Sequence, residues 1–151
     1  MITQAVCPSC GAANRVAAGH PPAIAKCGKC SVNLALDAPV EVDDAAFARH
    51  LKLTRGAVLV DVWAPWCGPC RSMAPQFEAA AAQLAGEVRL LKMNADTSQT
   101  PNKLGVSGIP ALILFVDGKE VGRQAGAVRA DALVNWVKAN ATPLDTTTRS
   151  A

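Results

Sequence analysis

Apolar residues between positions 39 and 140 form two kinds of pattern: short, nearly continuous runs, and longer stretches in which they recur every three or four positions. The runs are rich in Val and Leu, which favours strands covered on both faces. Between the last two runs, Asp117-Gly118 favours a two-residue type I′ turn and therefore a hairpin. The predicted strands cover residues 39–42, 57–63, 88–94, 111–116 and 119–125.

The stretches with helical spacing alternate with these runs. Asp43 or Asp44 is expected to cap the first helix, and His50 is expected on its solvent-facing side. Pro69 suits the first turn of the second helix, whereas Pro75 lies too far inside that helix to be accommodated without a kink. The predicted helices begin at residue 43 or 44 and at about residues 67, 97 and 129.

The resulting element order is β-α-β-α-β-α-β-β-α, with parallel crossovers first and an antiparallel hairpin last. The layer and handedness rules then favour an α/β fold with one central mixed sheet covered by helices on both faces. We assign this domain to residues 37–141. A segment of different character, residues 1–36, precedes it, and a Thr-rich tail, residues 142–151, is expected to be flexible.

Residues 1–36 contain few large apolar side chains, so we expect them to need a covalent or metal staple. Their two Cys-x-x-Cys pairs have the spacing of a closed tetrathiolate zinc site, which is structural because no ligand position stays open. Two disulfides or a rubredoxin-type iron site are the alternatives. Zinc is favoured because cytosolic thiols stay reduced and zinc is the commonest ion in such sites. The predicted metal ligands are Cys7, Cys10, Cys27 and Cys30.

The net charge and the composition argue against some classes of function. The net charge of +3 comes from Arg15, Lys26 and Lys29, which lie among the first four cysteines and can offset a negative tetrathiolate site. Three cations without aromatic partners are too few to indicate nucleic-acid binding. The sequence shows no signal peptide and no apolar run long enough to span a membrane, which predicts a soluble cytoplasmic protein that does not bind membranes.

The third Cys-x-x-Cys pair lies where a buried strand meets the second helix. A helix N-terminus stabilises a thiolate, so Cys67 is expected to be the exposed nucleophile that attacks a substrate disulfide. Cys70, one turn later, is expected to be buried and to resolve the mixed disulfide. Asp61 lies among apolar residues, so its pKa should be raised into the range useful for taking a proton from Cys70. A purely structural carboxylate is the alternative, and the adjacent dithiol favours the catalytic role.

The segment Trp66-Cys-Gly-Pro-Cys70, preceded by Val-Asp-Val-Trp-Ala, resembles the active-site signature of the thioredoxin family. The resemblance extends over residues 40–139. Together with the four-cysteine segment, it resembles the zinc-containing thioredoxin 2 type. Pro65 and Arg71 depart from the commonest residues of the family at their positions, which bears on substrate preference and leaves the mechanism unchanged.

This resemblance implies roles for further residues. Pro110 is expected to follow a cis peptide bond, and the backbone of Ile109 to pair with the substrate chain. Trp66 is expected at the rim of the substrate surface with Trp63 packed beneath it, although either tryptophan could be a plain core aromatic. The implied substrate-binding residues are Trp66, Gly68, Pro69, Ile109, Pro110 and Gly126.

Three other positions match structural features of the family. Gly126 corresponds to a close-packing glycine, Lys92 to a strand lysine near the buried carboxylate, and Pro75 to a helix-kinking proline. Lys92 and Trp63 are therefore expected to support the site.

The leading hypothesis is a general protein-disulfide reductase whose Cys67/Cys70 dithiol is recharged by thioredoxin reductase. Gly-Pro between the two cysteines resembles the reductants of this fold. The hypothesis implies disulfide-containing protein substrates, one structural Zn²⁺, no organic cofactor and a monomeric chain. Two alternatives remain: a zinc-ribbon adaptor that binds nucleic acid or protein, and a redox sensor in which oxidised thiolates release zinc and unfold their segment.

Overall fold

The computed structural model describes residues 1–17 and 19–141, so the expected tail at residues 142–151 lies outside the described residues. Two short strands, β1 (Gln4–Val6) and β2 (Ala13–Arg15), and a 3₁₀ turn (Pro22–Ile24) precede the larger domain. Its strands are β3 (Val40–Glu41), β4 (Ala57–Trp63), β5 (Val88–Asn94), β6 (Ala111–Val116) and β7 (Lys119–Ala125). Its helices are α1 (Asp44–Leu53), α2 (Gly68–Gln83), α3 (Thr100–Lys103) and α4 (Ala130–Asn140). In the described part of the chain, no helix has the length and apolar character needed to cross a membrane.

The five strands of the larger domain form one mixed sheet in the order β3-β5-β4-β6-β7. β3, β5 and β4 run parallel, β6 is antiparallel to β4, and β7 is antiparallel to β6. The predicted α/β class, with its crossovers followed by a hairpin, is confirmed. Because β4 is the middle strand, the residues that follow it emerge at the centre of one edge of the sheet.

Helices cover both faces of this sheet. On one face, Leu59 of β4 packs in a cluster with Phe77 of α2, and α4 adds further apolar residues. On the other face, Val60 of β4 packs in a cluster with Phe47 of α1. Since successive strand residues point to opposite faces, Asp61 lies on the same side as Leu59, towards α2.

Local sequence signals explain several element ends. Asp43 caps α1 by accepting a hydrogen bond from the N–H of Ala46 at 2.8 Å. Asp117 and Gly118 both have positive φ, 50° and 84°, as the predicted type I′ turn requires. The α2 helix continues through Pro75 to Gln83.

The solvent-facing position expected for His50 is wrong. The side chain is 2% exposed, and its Nδ1 has no hydrogen-bond partner in the described part of the chain. The reason is tertiary: β1 of the N-terminal segment contacts α1 and covers the helix face that the isolated pattern assigns to water. Burial, together with the positive charge of Arg89, lowers the pKa of His50 to about 4.

The first 36 residues form a module that packs tightly against the larger domain. The module has a small apolar cluster of its own, which the sequence did not indicate, and it includes Ile2, Ala5, Leu34 and Leu36. Its backbone is joined to the domain at both ends: Ile2 N–H donates to the carbonyl of Gly86 at 3.1 Å, and Gly86 N–H donates to that of Leu36 at 3.3 Å. The docking is therefore specified by backbone hydrogen bonds as well as apolar contact.

Arg89 of β5 makes the deepest contact with this module. Its side chain is 1% exposed, and Nη2 donates to the carbonyl oxygens of Val6 at 3.0 Å and Leu34 at 2.9 Å. Nη1 donates to the carbonyl oxygen of Ala35 at 2.9 Å. Among the described residues, no carboxylate pairs with this buried guanidinium. Burial lowers the pKa of Arg89 to about 10, and the nearby Cys7 thiolate opposes that shift.

Candidate functional site

The first part of the candidate site is a dithiol at the start of α2. Cys67 is the N-cap residue, and its Sγ accepts a hydrogen bond from the backbone N–H of Cys70 at 3.2 Å. The two cysteines are joined as a disulfide, with Cα atoms 5.2 Å apart. Gly68 and Pro69 form the first turn of α2 between them, where Pro is tolerated because the first N–H groups of a helix have no intrahelical acceptor.

The expected difference in exposure between the two cysteines is wrong for this disulfide form. Cys67 is 4% exposed and Cys70 is 3% exposed. Both belong to a small cluster with Ala64, against which Trp63 and Ile109 pack. The cover over Cys67 comes from the loop before β6, since the Ile109 carbonyl oxygen lies 3.9 Å from Cys67 Sγ. A contact over 42 residues of sequence is not visible in a local pattern.

Asp61 lies in the middle of β4 and is 1% exposed. Its Oδ1 atom has no hydrogen-bond partner in the described part of the chain. Burial raises the pKa of Asp61 to about 7, with Lys92 lowering it and Glu41 raising it further. The predicted raised pKa is confirmed, and at neutral pH such a carboxyl group can both accept and release a proton.

Lys92 of β5 is the direct cross-strand neighbour of Asp61. Its Nζ lies 4.7 Å from the centroid of the Trp63 ring, so the indole face also interacts with the ammonium group. Trp63 is half-buried and packs beside the dithiol, and its Nε1 has no partner among the described residues. The strands thus bring Asp61, Lys92 and Trp63 together beneath α2.

The loop opposite the dithiol contains the expected cis peptide bond, between Ile109 and Pro110. The Pro110 carbonyl oxygen accepts a hydrogen bond from the N–H of Gly126 at 2.8 Å. The close-packing role expected for Gly126 is wrong within this chain, because a Cβ atom added there meets nothing within 4 Å. Its φ of +95° gives the physical reason for glycine at this position.

Trp66 forms the exposed rim beside these residues. Its side chain is 67% exposed, and Nε1 donates to both carboxylate oxygens of Asp96, each at 3.1 Å. Sequence reasoning missed Asp96, which follows β5, because an acid in a polar loop carries no local signal of its partner. An exposed aromatic side chain held in one orientation is typical of a surface that binds other proteins.

The second part of the candidate site is the cluster of four cysteines in the N-terminal module. The Sγ atoms of Cys7, Cys10, Cys27 and Cys30 all lie within 4.8 Å of one another. Cys7 Sγ is 3.6 Å from Cys30 Sγ, and Cys10 Sγ is 3.6 Å from Cys27 Sγ. Two Cys-x-x-Cys turns far apart in the chain thus bring four sulfur atoms together, as predicted.

The two turns have the same backbone form. Gly11 and Ser31, each directly after the second cysteine of its pair, have φ of 77° and 68° and donate their N–H groups to the carbonyls of Cys7 and Cys27. This geometry leaves other N–H groups free to point at sulfur. Those of Ser9 and Cys10 donate to Cys7 Sγ at 3.4 Å.

The second turn repeats this arrangement around Cys27. Lys29 N–H donates to Cys27 Sγ at 3.4 Å, and the Asn14 side chain donates to it at 3.5 Å. Hydrogen bonds from the Cys30 backbone and from Asn14 lower the pKa of Cys27 to about 6. N–H donors favour thiolates, so the donor set fits a metal ion held by four sulfur ligands in a closed, structural site. Asn14 was not identified from the sequence.

The charge balance expected at this site involves a cation that the prediction did not include. Arg15, Lys26 and Lys29 are exposed, whereas the cation that interacts with Cys7 from the buried side is Arg89. The sequence places Arg89 in an apolar strand of the other domain, where nothing local relates it to the cysteines.

Two family models match the chain. The model described as Thioredoxin matches residues 38–139, and the model described as Thioredoxin 2, N-terminal matches residues 6–32. The first covers more than half of the chain and includes the dithiol. The second includes all four clustered cysteines.

Individual proteins agree with these matches. The thioredoxin of Rhodospirillum rubrum is 43% identical over 101 residues, covering 66% of this chain and 97% of that protein. The thioredoxin of Pseudomonas aeruginosa is 42% identical over 102 residues, covering 67% of this chain and 94% of that protein. Protein disulfide-isomerase A3 of Gallus gallus is 47% identical over 105 residues, but the match spans only 21% of its length.

A solved structure shows the same architecture. A mutant thioredoxin from Halobacterium salinarum superposes with a TM-score of 0.64 and 30% sequence identity. The superposition covers 71% of this chain and 94% of that one.

Proposed function

The chain belongs to the thioredoxin family of thiol–disulfide oxidoreductases, with a metal-binding module of the thioredoxin 2 type, and we propose that it is a protein-disulfide reductase. The observation that carries this proposal is the Cys67–Cys70 disulfide at the N-terminus of α2, above a buried carboxyl group on the neighbouring strand. A dithiol that closes to a disulfide within one helical turn can transfer two electrons to a substrate disulfide.

In the reduced protein, the Cys67 thiolate attacks one sulfur of the substrate disulfide. A bond forms between Cys67 and that sulfur, and the first substrate thiolate leaves. The helix N-terminus stabilises the attacking thiolate, since Cys67 is the N-cap residue and the backbone N–H of Cys70 points at its Sγ.

Cys70 then resolves the mixed disulfide. Asp61 takes the proton from the Cys70 thiol, the resulting thiolate attacks Cys67 Sγ, and the second substrate thiolate leaves. Two electrons have moved from the protein dithiol to the substrate, and Cys67 and Cys70 end as the disulfide. A carboxyl group with a pKa of about 7 suits this transfer, because it is partly ionised at neutral pH and still basic.

We assign substrate binding to the surface formed by Trp66 on one side and the Ile109-Pro110 loop on the other. Trp66 offers a large exposed aromatic face, and Ile109 offers backbone groups beside Cys67. An extended substrate segment can pair with that backbone and place its disulfide over Cys67. Gly68, Pro69 and Gly126 complete the surface without bulky side chains, which leaves room for a protein partner.

Disulfide-containing proteins are the substrates, and a thioredoxin reductase returns the Cys67–Cys70 disulfide to the dithiol. One Zn²⁺ held by Cys7, Cys10, Cys27 and Cys30 stabilises the module and takes no part in the exchange. The protein acts as a monomer in the cytoplasm.

Reduction of insulin disulfides, with NADPH and a thioredoxin reductase, tests the proposal. The Cys67→Ser variant should lose turnover, whereas Cys70→Ser should accumulate a mixed disulfide with the substrate that a mass spectrum resolves. Ser72→Ala, an exposed change on the same helix, is the matched control and should keep full activity. Undiminished turnover in Cys67→Ser would contradict the assigned roles.

A further inference from the structure

Three charged residues lie side by side across three neighbouring strands of the sheet. Glu41 of β3 pairs in register with Lys92 of β5, and Lys92 pairs in register with Asp61 of β4. Side chains of directly paired residues point to the same face, and neighbouring strands are about 4.8 Å apart. Lys92 therefore has a carboxyl group on each side, at about one strand spacing.

The two carboxyl groups differ in environment. Glu41 lies on the edge strand and is exposed, whereas Asp61 is 1% exposed in the centre of the sheet. Beyond Asp61, the same row continues through Leu112 of β6, which is apolar and buried. The row thus leads from solvent at Glu41 to the buried carboxyl group beneath α2, and Lys92 lies between them.

The Lys92 ammonium lies near two carboxyl groups but is not held by a short ion pair to either of them. In the described part of the chain, no ion pair within 4.0 Å joins its Nζ to Glu41 or Asp61. The ammonium lies over the Trp63 ring, 4.7 Å from its centroid, and is not held by a short ion pair to one carboxylate. Burial raises the pKa of Glu41 and the pKa of Asp61, and the positive charge of Lys92 lowers both values.

We propose that Glu41 is a positioning residue for the exchange reaction: it shares the Lys92 ammonium with Asp61, and by drawing that charge away it keeps Asp61 able to hold a proton at neutral pH. The proposal rests on the proposed function only in so far as Asp61 is the base for Cys70. A fully available ammonium would instead favour ionised Asp61 and weaken it as a base.

Elements packed against this row carry further titratable groups. On the Asp61 side, α2 contributes the cysteines Cys67 and Cys70. Glu41 also borders the cleft between the module and α1, which contains Arg49, His50, Cys7 and Cys10. Arg49 Nε donates to the Gly11 carbonyl oxygen at 2.6 Å, and β3 and β5 separate this cleft from Asp61 on β4. None of these groups lies in the strand register between Glu41 and Asp61.

The test is the titration of Asp61 in the full-length, reduced, metal-loaded protein, followed by carboxyl ¹³C NMR. Glu41→Gln should move the Asp61 midpoint to lower pH by about half a unit, the size expected for a charge two strands away in a partly screened medium. Glu78→Gln, which removes an exposed carboxylate from α2, is the matched control and should leave the midpoint in place.

A double-mutant cycle separates sharing from simple repulsion. If Glu41 acts by sharing the ammonium, Glu41→Gln should shift the Asp61 midpoint much less in a Lys92→Met background than in the wild type. Equal shifts in both backgrounds, or no shift in either, would overturn the proposal.

The same variants connect the titration to the reaction. In Glu41→Gln, the pH profile for resolution of a pre-formed Cys67 mixed disulfide should move in the same direction as the Asp61 midpoint. An unmoved profile, despite a shifted midpoint, would overturn the role in the reaction. Because the NMR titration needs no substrate, a wild-type protein without reductase activity would overturn the proposed function and leave the charge sharing separately measurable.

Discussion

Arg89 of the central sheet donates a 2.9 Å hydrogen bond from Nη2 to the carbonyl oxygen of Leu34, a residue that precedes it by 55 positions. With the bonds to Val6 and Ala35, the guanidinium satisfies three backbone acceptors where the metal-binding module meets the larger domain. The link fixes the position of one of the module's metal-binding turns, because Val6 directly precedes Cys7.

Arg89→Met should therefore destabilise the whole chain by about 2–4 kcal/mol. The substitution keeps an apolar stem but leaves buried carbonyl groups without donors, and each such loss costs about 1–3 kcal/mol, partly offset by removing a buried charge. Urea denaturation measures the change. Arg55→Met, an exposed arginine at the same interface, is the control and should cost less than about 1 kcal/mol. A stability of Arg89→Met equal to that control would show that the contact is dispensable.

Asp61→Asn should make stability less dependent on pH. The pKa of Asp61 rises from 3.8 to about 7 on folding, so the folded state binds more protons than the unfolded state between those pH values. The contribution of Asp61 to the free energy of unfolding is fully present below about pH 4. It falls by about 4 kcal/mol in all as the pH rises towards 7. The Asn variant avoids that loss, so it should be more stable than wild type at pH 8 by about 2–4 kcal/mol, with the advantage disappearing near pH 4.

Denaturation of the disulfide form at several pH values checks this. Asp131→Asn is a suitable control because that carboxylate is 79% exposed. A constant difference between Asp61→Asn and wild type across the pH range would contradict a buried, proton-binding carboxyl group.

The same Asp61→Asn change should slow the resolving step. Positioned proton transfer contributes about 10²–10⁴-fold to such reactions, so we expect a loss of at least 10-fold near pH 7. Attack by Cys67 on the substrate does not use Asp61 and should change less. Stopped-flow measurement of both steps separates them, and equal slowing of the two would argue for a general structural effect.

Trp66→Ala should reduce kcat/KM for protein disulfides by about 10-fold, while reduction of a small disulfide changes little. The large exposed ring contributes contact area only when the substrate is big enough to cover it. Asp96→Asn should have a smaller effect in the same direction, because it weakens the hydrogen bonds that orient the indole. Similar losses for both kinds of substrate would indicate that Trp66 maintains the structure of the site and does not bind the protein substrate.

Metal removal tests the role of the four clustered cysteines. Protein purified without oxygen and then reduced should hold one Zn²⁺ per chain and show two titratable thiols, those of Cys67 and Cys70. Chelation should make the other four thiols titratable. It should also lower the melting temperature of the whole chain, because backbone hydrogen bonds join the module to the larger domain. Peroxide sufficient to oxidise Cys67 distinguishes a structural from a sensing site: zinc stays bound in the first case and is released in the second.

Much of the fold was predictable because its signals are local. The boundaries of β4, β5, β6 and β7 match the prediction, since apolar runs and the Asp117-Gly118 turn act over a few residues. The two Cys-x-x-Cys pairs of the module and the dithiol of α2 were identifiable for the same reason, as spacing alone brings each pair into one turn.

The errors share a different cause. The pattern of α1 predicts a solvent-facing His50 because the module that covers this helix is distant in sequence. The local sequence of α2 predicts an exposed Cys67 because the Ile109 loop that covers the sulfur is 42 residues away. Asn14 and Asp96 were missed because a polar residue in a loop gives no indication of its partner.

The sequence by itself determined the order of elements, the pairing of the cysteines and the burial of Asp61, since these follow from periodicity and short spacing. Only the tertiary structure decided what surrounds each group: that Lys92 lies between Glu41 and Asp61, and that Arg89 reaches the module next to Cys7. Strand register and domain docking create these neighbours, and both depend on the packing of the whole chain. The charges that set the behaviour of the two cysteine sites therefore come from residues that no local pattern connects to them.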